Sequence, residues 1–251
     1  MNVTTRELYN DASNDWQRSE PILLSDFTAR PFLLKWCEPV AGLDVLDLGC
    51  GEGYFARGLK RRGAGSILGI DVSEEMVNGA KQRESQEKLG IRYRAGNATD
   101  LDDIAPESLD LCVAVFLFNY LNLEQTRHTM SEVHRVLRPG GRFIFAVPHP
   151  SLAFLGDNVA PFYFDPESKG YFSGRDCQFE GEIWRKDGRS VRVRSVHKNL
   201  EDYFGALSAA GFTQMPQVTE LRATEEHLLQ DPEWFGPLRD KPLHLAFQLT
   251  K

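Results

Sequence analysis

Three glycines at alternate positions, Gly49, Gly51 and Gly53, close an apolar run in the segment VLDLGCGEGYF. A strand that breaks into glycines and opens into a helix brings bare backbone N–H groups up to a small polar ligand. A tight strand-to-helix turn with no ligand is the plainer alternative. Two carboxylates stand nearby: Asp47 within the run, and Asp71, 22 residues after Gly49, at the end of a second apolar run, SILGID. A carboxylate at a strand end can accept from both hydroxyls of a ribose, and it can equally cap the following helix. A dinucleotide fingerprint needs a third glycine where this chain has Tyr54. Glu52 adds a negative charge where a diphosphate would approach. The spacing therefore predicts a cofactor without phosphates.

The elements that must position these residues alternate. LDVLDL reads as a buried strand and YFARGLKRRG as the helix after it. SILGID is a second strand, followed by a helix over EEMVNGAKQRESQEKLG, capped by Ser73 and stopped by Gly90. IRYRA is a third strand, and DLCVAVFLF, apolar almost throughout, a fourth buried on both faces. Leu123, Met130, Val133 and Leu137 form a helical stripe before RPGG turns the chain into a fifth strand, RFIFAV. Strand–helix alternation predicts an α/β fold with a mostly parallel sheet, helices on both faces and right-handed crossovers. The rhythm breaks over residues 148–196. There aromatics crowd together, and GEIWRKDGRSVRVRSV reads as a β-hairpin turning at Asp187-Gly188. We expect this segment to be an insertion over the carboxyl edge of the sheet. A helix over NLEDYFGALSAAG and a last strand, HLAFQLT, complete the pattern.

The chain has 251 residues and a formal net charge of -7, with no basic footprint for nucleic acid. The start, MNVTTRELYND, lacks a basic or apolar leader, and residues 111–118 form the longest apolar run, too short to span a membrane. The four cysteines form no close pair, which points away from zinc and disulfides and toward a reducing cytoplasm. No His/Asp/Glu cluster has metal-ligand spacing. A monomer or homodimer acting on a small molecule, away from nucleic acid and membrane, is the expectation.

VLDLGCGEGYF resembles the glycine loop of the class I S-adenosylmethionine (SAM)-dependent methyltransferases of the small-molecule type. LGIDVSEEMV, YRAGNATDL, SLDLCVAVFLFNYL, HRVLRPGGRFIFAVPHP and HKNLEDYFGALSAAGF resemble further segments of that family in the same order. The likeness covers residues 40–150 closely and 195–251 loosely, and leaves the insertion uncovered. It implies a seven-stranded Rossmann-like fold in one methyltransferase domain. Cofactor-covering helices would occupy 1–40, the SAM-binding core 41–147, a lid for the substrate 148–196 and the rest of the sheet 197–251.

It also implies roles for particular residues. Gly49 and Gly51 would let the methionine part and ribose lie against backbone, with Cys50, Val72 and Ala98 beside them. Asp47 resembles the acidic residue under the loop. Met76 and Asn97 fall at positions near the adenine, although Asn97 stands where the family often has Asp and Met76 is equally at home in a core. Phe116 would flank the methionine part or simply pack. Tyr9 and Trp16 resemble an N-terminal helix that covers the cofactor. Arg30 suits a carboxylate as a guanidinium fork, or is an exposed helical arginine.

Methyl transfer needs alignment and exclusion of water, and a base only where the nucleophile carries a proton. His149 and His197 end segments at the carboxyl edge and are the candidate bases, with the resemblance extending to His197. His134 reads as scaffold. Asn119 and Tyr120 are placed to bond an acceptor. Phe154, Phe162, Tyr163, Phe164, Tyr171, Phe172 and Phe179 crowd one segment and form either an acceptor pocket or a satellite core. The reading is a methyltransferase moving a methyl group from SAM, with S-adenosylhomocysteine as product, to O, N or C of a partly apolar or aromatic metabolite. An enzyme acting on RNA or protein and a non-catalytic SAM-binding module are the alternatives. Titration calorimetry should show S-adenosylhomocysteine binding and none by NAD; equal binding of the two would overturn the reading of the loop.

Overall fold

The computed structural model describes residues 4–156 and 160–251. Four short helices lead in: α1 (Thr5–Asp11), α2 (Ser13–Trp16), α3 (Leu24–Thr28) and α4 (Arg30–Trp36). Thr4 and Glu7 close α1 with a reciprocal capping box. The alternating part follows: β1 (Asp44–Leu48), α5 (Tyr54–Lys60), β2 (Ser66–Asp71), α6 (Glu74–Glu87), β3 (Ile91–Ala95), β4 (Leu109–Val115), α7 (Leu123–Val136) and β5 (Leu137–Pro148). The insertion contributes β6 (Phe162–Asp165), β7 (Gln178–Trp184) and β8 (Ser190–Val196). The chain ends with α8 (Leu200–Ala209), β9 (Gln217–Leu221), α9 (Glu225–Gln230), α10 (Pro232–Phe235) and β10 (His244–Thr250).

Seven strands form the main sheet in the order β3-β2-β1-β4-β5-β10-β9. β3 through β5 are parallel, and β10 runs antiparallel to both β5 and β9. The order reverses between β1 and β4, which opens a crevice at their carboxyl ends. Alternate residues of the central strands feed two cores. Leu46, Cys112 and Phe145 face α7 and α8, while Val45, Val113 and Ile144 face α4, α5 and α6. β4 is buried on both faces, which is why its sequence shows no alternation.

Several boundaries differ from the sequence reading. β4 ends at Val115, because Phe116 takes φ +63° and the chain then makes a 3-10 turn over Phe118–Tyr120. α6 ends at Glu87, with Lys88 itself left-handed, two residues before Gly90. RPGG lies within β5 as an irregularity in its pairing with β4. The hairpin at Gly188 is present, and β6 adds a third strand beside it to give a separate antiparallel sheet. β9, α9 and α10 carry too little periodicity to be read from sequence. His134 packs edge-on against Phe212, as scaffold.

Gly53 fixes the turn from loop to α5. Its φ is +83°, and a Cβ there would lie 2.7 Å from Tyr93 Cζ and closer still to the Tyr93 hydroxyl. That hydroxyl has no hydrogen-bond partner among the described residues. Gly53→Ala should cost more than about 1 kcal/mol in urea unfolding, and Tyr93→Phe in that background should return part of the loss. Unchanged stability in Gly53→Ala would show that the turn relaxes freely.

Candidate active site

The glycine loop is held by backbone and carboxylate together. Gly49 N–H and Cys50 N–H donate to the Ile70 carbonyl at 2.8 and 3.1 Å. Gly51 N–H donates to Asp71 Oδ2 at 2.8 Å, and Ser73 N–H donates to Asp71 Oδ1 at 2.9 Å. Ser73 is the N-cap of α6, its hydroxyl accepting from Met76 N–H. Asp71 thus braces both the loop and the helix start, and burial raises its pKa. Where Gly51 would carry a Cβ there is open space, and Gly51 lines the cavity beyond. Asp47 lies beneath, fully buried, with Oδ2 unpartnered among the described residues. Burial first, then the Asp71 charge, pushes its pKa up to about 7.

This cavity holds about 280 Å³ and begins at the β1–β4 reversal. Tyr9, Arg30, Asp47, Gly49, Cys50, Gly51, Asp71, Val72, Met76, Asn97, Ala98 and Phe116 all line it. Asn97 Oδ1 accepts from Thr99 N–H at 3.1 Å. Tyr9 bonds the Tyr120 hydroxyl and stands edge-on to its ring, while Asn10 Oδ1 accepts from the Ser73 hydroxyl at 2.7 Å. These contacts seat α1 across the opening, with Trp16 against Tyr9. Arg30 is no exposed helical residue. Its side chain is 12% exposed, bonded to Asp26 at 3.1 Å and to Ser25, with the guanidinium over Phe116.

Glu52 departs from its expected part. It is buried, accepting from Arg57 at 2.7 Å and Arg18 at 3.3 Å, so its charge is neutralised inside the fold rather than turned on a diphosphate. The argument against a dinucleotide therefore rests on Tyr54 in the third-glycine position.

Asn119 and Tyr120 also line the cavity, but Phe154, Tyr163 and Tyr171 do not. Nor do the two expected bases. His197 stacks on Phe179 at 5.4 Å between Phe154 and Tyr171, and its Nε2 bonds the Tyr171 carbonyl oxygen at 2.8 Å. Burial lowers its pKa. His149 accepts from Ser151 N–H through Nδ1 and bonds Glu220 through Nε2 at 3.1 Å. Both rings are spent on structure. Tyr163 packs on Trp184. The aromatic crowd is thus largely a satellite core. The next residue after His197 braces the turn behind the site: Lys198, buried, donates to the carbonyls of Phe118 and Val196 at 2.9 and 3.1 Å. Burial brings its pKa down to about 7.

Of the aromatic segment, Phe162 and Phe164 do build the far wall, together with residues the sequence reading missed: Ile183 and Val193 from the small sheet, and His244 from β10. His244 was legible in principle. An antiparallel last strand starts at the edge where parallel strands end, so its first residue belongs there.

Comparison with known proteins places this geometry. A family model described as a methyltransferase domain matches residues 45–141. The crystal structure of an S-adenosylmethionine-dependent methyltransferase from Mesorhizobium loti superposes with a TM-score of 0.67 at 27% identity, covering 88% of this chain and 96% of that one. A ubiquinone biosynthesis O-methyltransferase of Coxiella burnetii is 26% identical over 208 residues, 78% of this chain and 87% of that protein. An uncharacterized protein of Haemophilus influenzae is 26% identical over 179 residues; the match takes 70% of this chain and spans only 61% of that protein's length. The fold and the loop define a Rossmann-like methyltransferase. The chain carries a methyltransferase domain in the fold of the class I SAM-dependent methyltransferases, and SAM is the cofactor of that class. The residues present fit it: a buried carboxylate oxygen on Asp47 has no hydrogen-bond partner among the described residues, and the open side of Gly51 admits a ligand against backbone.

Asp47 gives this fit a pH signature. Its folded pKa, about 7, lies above the ordinary 3.8. The native state therefore holds a proton that the unfolded chain has lost, and stability falls as pH rises between those values. Asp47→Asn should stabilise the ligand-free protein by about 2 kcal/mol near pH 8, less than the whole shift because the amide N–H groups lack partners. The gain should vanish at low pH, and affinity for S-adenosylhomocysteine should drop. Thermal unfolding across pH would expose an equal gain at both ends, which would clear Asp47 of any buried charge.

Proposed function

We propose that the protein methylates a small, partly apolar or aromatic metabolite. The observation that carries this reading is the continuity of one cavity. It runs from the glycine loop, with its carboxylates, to an apolar wall formed by Phe162, Phe164, Ile183 and Val193. Bound SAM supplies a methyl group on a sulfonium, which passes to an acceptor lone pair as the carbon–sulfur bond breaks and its electron pair stays on sulfur. The chain's own residues align and enclose. Gly49 and Gly51 offer backbone to the cofactor, Asp71 offers its remaining lone pairs to ribose hydroxyls, and Met76, Asn97 and Ala98 border the adenine. Asp47 faces the cofactor's positive end and Arg30 its carboxylate. Tyr9 and Tyr120 close α1 over the opening and keep water out.

An enclosed, mostly apolar wall suits a small acceptor better than a polymer, and a formal charge of -7 weighs against RNA. The Coxiella relative, by name an O-methyltransferase of ubiquinone biosynthesis, supports an acceptor of this kind. Incubation with SAM and fractionated metabolite extracts should yield S-adenosylhomocysteine together with a product heavier by one CH2. In the active fraction, Phe164→Ala should raise the acceptor's KM about tenfold, near the worth of a partly buried ring, and leave S-adenosylhomocysteine affinity intact. Tight cofactor binding with no turnover in any fraction would instead mark a non-catalytic module.

A further inference from the structure

His244 opens β10 opposite Pro148, at the carboxyl edge of the parallel strands. Adjacent strands lie about 4.8 Å apart. β10, two strands beyond β4, is therefore displaced from the cofactor's crevice toward the small sheet. The ring is 2% exposed and lines the cavity, 4.9 Å from the Phe116 ring and 6.0 Å from that of Phe162. Its Nε2 lies 3.1 Å from Thr28 Oγ1, and its Nδ1 has no hydrogen-bond partner among the described residues.

The tautomer follows from Thr28. A hydroxyl has one hydrogen, and that of Thr28 is directed at the Leu24 carbonyl oxygen, 3.0 Å away. Toward His244 the same oxygen can only accept. Nε2 therefore carries the ring proton, and Nδ1 presents a bare lone pair. Burial, reinforced by Arg30 and then His149, pushes the pKa of His244 down to about 3, so the ring is neutral at rest.

We propose that His244 contacts the acceptor and selects its class: Nδ1 accepts a hydrogen bond from a hydroxyl whose apolar or aromatic body packs on Phe116 and Phe162. This rests on the cavity's taking SAM and a small acceptor. The hydroxyl oxygen forms its bond to the methyl carbon as the carbon–sulfur bond breaks, with the pair left on sulfur. The O–H proton passes along the existing hydrogen bond to Nδ1, because a protonated ether is a far stronger acid than even this imidazolium. The low pKa then returns the proton to solvent once the product leaves. The methylated product has no hydrogen to offer, so the same lone pair separates substrate from product.

Nitrogen-15 spectra of histidine-labelled protein test this directly. Between about pH 5 and pH 8, His244 should show the neutral Nε2–H tautomer. In protein saturated with S-adenosylhomocysteine, 2-naphthol should shift Nδ1 and bind about 10-fold more tightly than 2-methoxynaphthalene, the worth of one buried hydrogen bond. His244→Gln, which keeps an amide near Thr28 but removes the acceptor at Nδ1, should abolish that preference. His244→Asn, which sets a carbonyl oxygen near Nδ1, should retain much of it. An Nδ1–H tautomer, an imidazolium in that range, or an equal response to the two probes, none included, overturns the proposal. Calorimetry with S-adenosylhomocysteine reports separately: failure there defeats the cofactor reading, while the tautomer result stands on its own.

Discussion

The site depends on a knot of buried charge. Arg18 is clamped by Asp26, whose carboxylate also accepts from the backbone N–H groups of Ile22 and Leu23. Arg18 reaches Glu52, and Glu52 holds Arg57 in the first turns of α5. Glu52 sits between Gly51 and Gly53, so the knot joins the N-terminal segment to the glycine loop itself. Each of these four side chains is at most 4% exposed. Removing one partner of such a set strands the others without water, at a cost of about 3–5 kcal/mol. The covering helices are therefore part of the cofactor site's construction.

Around that knot the cavity has two ends of different chemistry. The loop end holds carboxylates: Asp71 braces Gly51 and Ser73, and Asp47 waits below with an unpartnered oxygen. The far end is mostly apolar, with the neutral ring of His244, the side chains of the 3-10 turn and the Arg30 guanidinium over Phe116 as its polar groups. A cation that settles at the acidic end leaves its reactive group facing low polarity. There a nucleophile is poorly solvated and few competing waters are admitted. Lys198 supports the boundary from below by bonding Phe118, at the start of the turn that carries Asn119 and Tyr120.

The acidic end was legible residue by residue and the apolar end only as a crowd of aromatics, for a physical reason. Gly49, Gly51, Gly53 and Asp71 are demanded by backbone geometry, and such demands leave a local signature: a glycine where φ is positive, a carboxylate at a strand end. β1, β2, β4 and β5 were legible as apolar runs, β3 because Ile91, Tyr93 and Ala95 alternate with arginines, and α7 because it carries its own stripe. The far wall comes from β6, β7, β8 and β10, segments far apart in the chain, with nothing local to mark their register. His149 and His197 looked catalytic because both fall at the carboxyl edge. Edge position says nothing of what a ring finds there, and these two found Glu220 and an aromatic stack. Phe116 shows the same limit. Its apolar neighbours read as a continuing strand, whereas its left-handed backbone ends the strand and turns the ring toward Arg30 and His244.

This division explains how one scaffold can serve different acceptors. In the proposed reading the cofactor is met mostly by backbone and by carboxylates that also hold the loop together, so substitution there would threaten the fold as well as binding. The apolar wall is a separate antiparallel sheet whose residues Phe164 and Val193 belong to their own small core. Exchanges among such side chains alter the shape of the wall and leave the knot, the loop and the strand reversal untouched. His244 stands where the two parts meet, paired in the main sheet through its backbone and turned toward Phe162 of the small one. Thr28, from the same N-terminal segment that the arginines pin to the loop, fixes its tautomer. The charge cluster that shapes the cofactor end therefore reaches the far end through one short helix, α3. The register of that helix sets which ring nitrogen of His244 is left without a partner among the described residues.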